Sequence, residues 1–363
     1  MSKVVFWVKA SCAALCIGLS LASCATSSGA TREPATSQAV AVSGKEPIWV
    51  EAPDALYPKF DYITGVGAGN DRSHAEQQAL GALVAYFGQS VQADLRSIES
   101  YYEAVSKGAV EVSGSTQVQN SIRTSASIDT LIGAEIKEHW DNGRTFYALA
   151  TLEKSTAIRL YSDLLDSNQG MIERLTTLSP EEKNSLDGFS RYQLAATIAD
   201  ASAVYANILS LIDGRPRTLK KGDDYRLEAV NITKSIPITV SINAAPAGDE
   251  VRFDRIKSAF TSALNKQGFR SGGNNARYVL EVSFSLSSDN RPGNDNQFIR
   301  YVANASLEDT DDASELFTYS INNREGHLSA DAAKDRAVSA AEKKITDEYS
   351  ALLSAYLSSL LPE

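Results

Sequence analysis

The stretch IGAEIKEHWDNGRTFYALATL (residues 132–152) decides how the chain is read. Ile132, Ala134, Ile136 and Trp140 alternate with polar residues, Asp141-Asn142-Gly143-Arg144 follows, and Phe146, Ala148, Ala150 and Leu152 alternate on the way back. Period-two alternation on both sides of Asn-Gly predicts a β-hairpin with one buried face, its turn suited to the positive φ angles of a type I′ loop. The chain is therefore at least partly an antiparallel-sheet protein.

Toward the amino terminus, Tyr62–Gly67 predicts a short strand running into a glycine turn. Residues 73–98 then carry Ala75, Ala79, Leu83, Val91, Leu95 and Ile98 at helical spacing, with Ser73 as the expected N-cap. Residues 106–129 are rich in Ser, Gln and Gly and have little pattern. Beyond the hairpin, residues 155–175 predict a helix. A second one opens on Ser179-Pro180 with Glu182 completing a capping box, and closes at Gly214 and Pro216. These two helices are expected to bridge two domains. From about residue 218 the reading is strand 236–242, helix 251–267 with a Schellman ending at Gly268 and Phe269, strands 278–286, 298–307 and 316–321, and a final helix over 329–360. Asn290–Asn294 reads as a turn. The order β-α-β-β-β-α implies a helix-backed, mostly antiparallel sheet. The expected fold is α+β, with two such domains, 47–175 and 218–363, joined by a helical segment over 176–217.

The chain has 363 residues and a formal charge of −10. Residues 1–23 hold Lys3, Lys9 and no acids, so without them 33 bases face 45 acids, or −12. Such a balance offers nucleic acid no basic footprint. It also disfavours an anionic membrane surface unless something else holds the chain there. Lys3 and Lys9 precede a short apolar run over residues 10–22 that ends in Leu21-Ala22-Ser23-Cys24. This ending resembles the bacterial lipobox, which implies cleavage between Ser23 and Cys24 and lipidation of the Cys24 thiol. The alternative is an ordinary secretory signal with a chance cysteine. Cys12, Cys16 and Cys24 are the only cysteines, so processing would leave no free thiol, as suits an oxidising compartment. Two or more acyl chains on Cys24 would hold the protein at the membrane. Ala25, rather than Asp, follows the cysteine and permits export to an outer membrane. Residues 25–46, small and polar, read as a flexible tether with a reach of roughly 25 Å.

Catalytic motifs find little support. Gly65-Val66-Gly67-Ala68-Gly69 sits between a strand and a helix, as a dinucleotide loop would, but Asn70 stands where the third glycine belongs and no P-loop lysine follows. The glycines are better read as letting the strand turn tightly. His74, His139 and His327 lack metal-site spacing, with His139 expected to point away from the Ile136 and Trp140 face. The pairs Glu181-Glu182, Asp223-Asp224 and Asp311-Asp312 read as solvated charge, and Asp309–Asp312 lacks the glycine and terminal glutamate of a calcium loop. Trp140 reads as core, and Tyr101-Tyr102 is a candidate exposed contact. No cofactor, metal ligand or catalytic residue is assigned, and an enzyme is not expected.

Pro47-Ile48-Trp49-Val50, Ile63-Thr64-Gly65-Val66-Gly67, the alanine-rich helix from Ala75, Ile136–Trp140 and Thr145–Ala150 together resemble the Lpp-twenty bacterial lipoprotein family over about residues 47–165. Related domains occur in the flagellar accessory proteins FlgP and FlgT. The resemblance implies a non-catalytic envelope lipoprotein, membrane-held through Cys24, that binds envelope proteins in an outer-membrane or flagellar-associated assembly and faces the periplasm or the cell surface. The helical segment and the second domain depart from the short family members. The alternative reading is an envelope module that binds a small ligand, a glycan or a host component.

Overall fold

The computed structural model describes residues 45–106, 131–273, 276–289 and 295–360. Cys24, Ser23, nearly all of the tether, residues 107–129 and the Asn290–Asn294 turn lie outside them.

The first sheet has the order β1-β3-β2, all antiparallel: β1 is Tyr62–Gly69, β2 Ala134–Asp141 and β3 Phe146–Glu153. The hairpin is present, but its loop has four residues, since Asp141 pairs with Phe146. Only Gly143 takes positive φ (82°), and the Asn142 side chain accepts from the backbone N–H of Arg144 and Thr145, replacing the second positive-φ residue of a type I′ turn. Helix α2 (Arg72–Ala85) lies across one face. A side chain at Gly65 or Gly67 would meet the Ala79 carbonyl oxygen at 2.4 Å or the Ala79 nitrogen at 2.1 Å. The alternate glycines of β1 thus let a helix backbone sit directly on the strand. On the other face, buried Trp49 of α1 (Ile48–Glu51) and Tyr57 cover the sheet; Tyr57 packs on Tyr62 and donates to Glu138 Oε1 at 3.0 Å.

The expected helix over 73–98 is two helices, with a third just beyond it. α2 is capped by Asp71, whose side chain accepts from the His74 N–H, and not by Ser73. Gly88 (φ 89°) breaks the run before α3 (Gln89–Ser97) and α4 (Glu99–Ser106). α5 (Lys154–Thr176) follows the hairpin. The Ser179/Glu182 capping box forms, but it opens only a single turn, α6 (Pro180–Lys183). Ser185 caps the long helix α7 (Leu186–Asp213), which ends at Gly214 with φ 70°. A further helix, α8 (Gly222–Ser235), precedes β4.

The second sheet runs β4-β5-β6-β7, with β4 (Ile238–Ile242) parallel to β5 (Tyr278–Ser288), and β6 (Gln297–Asp309) and β7 (Ser314–His327) antiparallel. α9 (Glu250–Lys266) ends in the expected Schellman motif, with the Phe269 N–H on the Leu264 carbonyl across Gly268. α9 and the closing helix cover one face of the sheet. The closing helix is α10 (Ala330–Lys344), a π-turn at Ile345–Tyr349 and α11 (Ser350–Ser359). The fold is α+β with two mostly antiparallel, helix-backed sheets.

α7 touches elements of both halves. Near its start, Phe189 packs on Phe269 and the Leu186 N–H donates to the Tyr278 hydroxyl. Near its end, Tyr205 packs on Tyr101 and Tyr161. One continuous apolar core results, from Ile63 to Leu357. α7 is long and apolar enough to cross a membrane, but most of it is buried in this core.

Candidate functional site

The candidate sequence motifs fold into structural roles. The glycine face of β1 is filled by the α2 backbone, which leaves no room for a phosphate. His139 does not point away from that face. A bulge at Lys137 shifts the β2 register, so Ile136 faces Ala150 and His139 faces Ala148 on the α2 side, and His139 Nε2 lies 2.7 Å from Glu76 Oε1. Burial pushes the Glu76 carboxyl up, but hydrogen bonds from Arg72 and His139 outweigh it and hold the group below its ordinary value. His74 sits at the start of α2 and His327 at the end of β7, so the fold does not gather the three histidines. Among the described residues no cluster of His, Cys, Asp and Glu is suited to hold a metal ion.

The acid pairs are consumed locally. Glu182 accepts from the Ser179 N–H, Asp224 from the Lys221 N–H and Asp312 from the Ser314 N–H. Asp309 and Asp311 both face the Arg277 guanidinium, at 2.7 and 3.1 Å. Tyr101-Tyr102 is not an exposed contact. Both rings are buried on α4, and the Tyr101 hydroxyl donates to Asn168 Oδ1 at 2.8 Å while Asn168 donates to Ser202 Oγ.

Among the described residues, a groove, an edge strand and a sheet face could each meet another molecule. The first is a groove of about 420 Å³ between α5, α7 and the segment leading to α8. Ile172, Ala199, Leu209 and Tyr225 form its buried floor; Asp166, Gln169 and Lys220 stand at the rim. Arg217 is engaged by Asp213 at 2.7 Å, whereas Lys220 lies 4.1 Å above the Tyr225 ring. The size is in the range of small-ligand pockets. The second is the edge strand β7, 14 residues long and paired only by β6 among the described residues. It has no proline or lysine, and its charges, Glu315, Arg324 and Glu325, lie toward its two ends. The third is the uncovered face of the second sheet, with Ser283, Ser285, Asn304, Thr318, Ser320 and Asn322 exposed. It is mostly polar; Val302 and Phe298, with Arg324 over the Phe298 ring at 5.4 Å, are apolar members of it.

The sequence reading missed the groove because its lining comes from three separate segments, one of which, α8, went unread. Tyr225, Ala229 and Ile232 at steps of four and three were the available signal. It also stopped β7 at Ile321, because Asn322-Asn323-Arg324 hides the continuation of the strand.

No protein-family model matches the chain, and no curated protein matches it by sequence. Among solved structures, the secreted protein HP1454 from Helicobacter pylori shares 12% identity over 79% of this chain and 98% of its own, with a TM-score of 0.39. A minor lipoprotein from Acinetobacter baumannii shares 12% over 34% of this chain and 93% of its own, at 0.24. The lipoprotein GNA1162 from Neisseria meningitidis shares 17% over 31% and 99%, at 0.23. Likenesses this slight carry no argument about activity or partner.

Proposed function

We propose that this chain is a lipid-anchored protein of a bacterial envelope that acts without catalysis, by binding other envelope proteins. The observation that carries the reading is Leu21-Ala22-Ser23-Cys24 ahead of a polar tether that ends where the packed α+β fold begins, at Pro47. The lipid on Cys24 fixes one end, the tether supplies reach, and the fold presents β7, 14 residues long and paired only by β6 among the described residues, as an edge for a partner's strand to join. The resemblance to the Lpp-twenty family supports an outer-membrane or flagellar-associated setting. In fractionated cells the native chain is expected with the outer membrane, and crosslinking is expected to capture a defined envelope protein. Loss of that capture in Thr318→Lys with Ser320→Lys, two exposed positions of β7 where lysines would block a joining strand without removing core side chains, would assign it to β7. Unchanged capture would exclude the edge.

The groove favours a second reading, a binding module for a small ligand. Under it, a compound that raises the melting temperature of the native protein would lose its effect in Lys220→Ala with Tyr225→Ala.

A further inference from the structure

Phe60 is 88% exposed, the most exposed large apolar side chain among the described residues. It is not on a loose end. The Asp61 and Tyr62 N–H groups both close on the Pro58 carbonyl, at 3.0 and 2.9 Å, and the Asp61 carbonyl accepts from the Lys154 N–H at 2.8 Å. The turn therefore holds the ring out into solvent immediately before β1. Tyr86, 63% exposed, reaches the same end by another route. α2 runs back along β1, with Ala75 against Gly67 and Leu83 against Gly65, so the residue just beyond the helix comes level with the start of the strand. Tyr86 is also among the groups acting on the Lys59 ammonium. Leu56, 53% exposed, lies in the same segment as Phe60. Two cations frame the group: Lys59, on Asp54 at 2.7 Å, and Lys154, whose ammonium donates to the Lys59 carbonyl at 2.8 Å.

Single exposed apolar residues are ordinary on a protein surface. Aromatic rings beside lysines on one end of a domain are the composition of an interfacial anchor, in which rings enter the headgroup region and ammoniums meet phosphates. We propose that Leu56, Phe60 and Tyr86, with Lys59 and Lys154, rest on the lipid bilayer. The occupant follows from the chain. The tether joins the fold at Pro47, in the segment that carries Leu56 and Phe60, and a span of 22 residues from a lipidated Cys24 has a reach of only roughly 25 Å. The bilayer is thus the surface this end meets most often. Lys154, with Lys59 shared with Asp54, eases its approach in a processed chain whose net charge, 33 bases against 45 acids or −12, would otherwise oppose it. The proposal rests on the anchoring read from Cys24.

The test uses the full lipidated chain in vesicles of phosphatidylethanolamine and phosphatidylglycerol. With Cys24 acylated, Phe60→Cys, Leu56→Cys or Leu328→Cys supplies a single thiol for an environment-sensitive dye; Leu328, 76% exposed, lies beyond β7 in the other half. Dyes at 60 and 56 are expected to shift to the blue and to be quenched at least about twofold more than at 328 by brominated acyl chains, as burial of this end in the interface requires. The quenching at 56 is expected to fall when Phe60→Ser and Tyr86→Ser are added. If the chain floats with the vesicles but 60 and 56 behave like 328, the contact surface is refuted and the anchor stands. If the chain does not float, the anchor is refuted and the contact surface with it.

Discussion

The sharpest local constraints are two glycines that sit under a helix. A Cβ at Gly67 would stand 2.1 Å from the Ala79 nitrogen and 2.3 Å from the Ala75 carbonyl oxygen, so Gly67→Ala must push α2 off the sheet. A cost of about 3 kcal/mol or more is expected in urea titration, in the range of severe core overpacking. Gly81, in the same helix with nothing within 4 Å, is the control. There Gly81→Ala is expected to stabilise by about 0.5–1 kcal/mol. Asp249 shows the other kind of constraint. Its carboxylate is nearly buried and accepts from Arg252 Nη1 at 2.6 Å and Lys334 Nζ at 2.9 Å, tying α9 to α10. Burial pushes the carboxyl up, yet those hydrogen bonds outweigh burial and hold it below its ordinary value of 3.8. A pKa lowered by folding contributes stability that is present above 3.8 and is lost as the pH falls through the folded value. Asp249→Asn is therefore expected to cost about 1–3 kcal/mol at pH 7, and the cost is expected to shrink as the pH falls below 3.8, which denaturant titrations across that range would show.

Helix boundaries were the least legible part of the chain, and each difference has a local cause. Ser179-Pro180-Glu181-Glu182 is a capping box by every sequence criterion, and it forms; but the single turn ends at Asn184, Ser185 starts the helix again, and only packing shows which start carries the long element. Ser185→Ala is accordingly expected to cost about 1–2 kcal/mol in thermal unfolding, and Ser179→Ala markedly less. Gly88 likewise resembled one more small residue in a long amphipathic run, though its positive φ ends one helix and begins another. The hairpin, β1, the Schellman ending at Gly268 and the β-α-β-β-β-α order were legible, since each is written in short-range periodicity or in a turn that only certain residues make. The orientation of His139 was not, because the bulge at Lys137 reverses the alternation that the prediction relied on. The groove and the Phe60 patch were not either, because each is assembled from segments distant in sequence.

Across the described residues the two sheets share one core through α7. Trp49, in α1 against the first sheet, and Trp140, in β2, are the tryptophans left after processing, so their fluorescence reports that half while circular dichroism reports all helices. The shared core predicts coincident transitions by the two probes. Ile198→Ala, at a fully buried position of α7, is expected to shift both together by about 2–5 kcal/mol. Separate transitions would show that the halves fold independently. The central claim concerns where this molecule is held, and detergent-phase partitioning with membrane fractionation of the native chain beside Cys24→Ala tests it most directly. The account predicts native protein in the detergent phase and the outer membrane, and a variant that is soluble or unprocessed. A Cys24→Ala chain that fractionates like the native protein would contradict it.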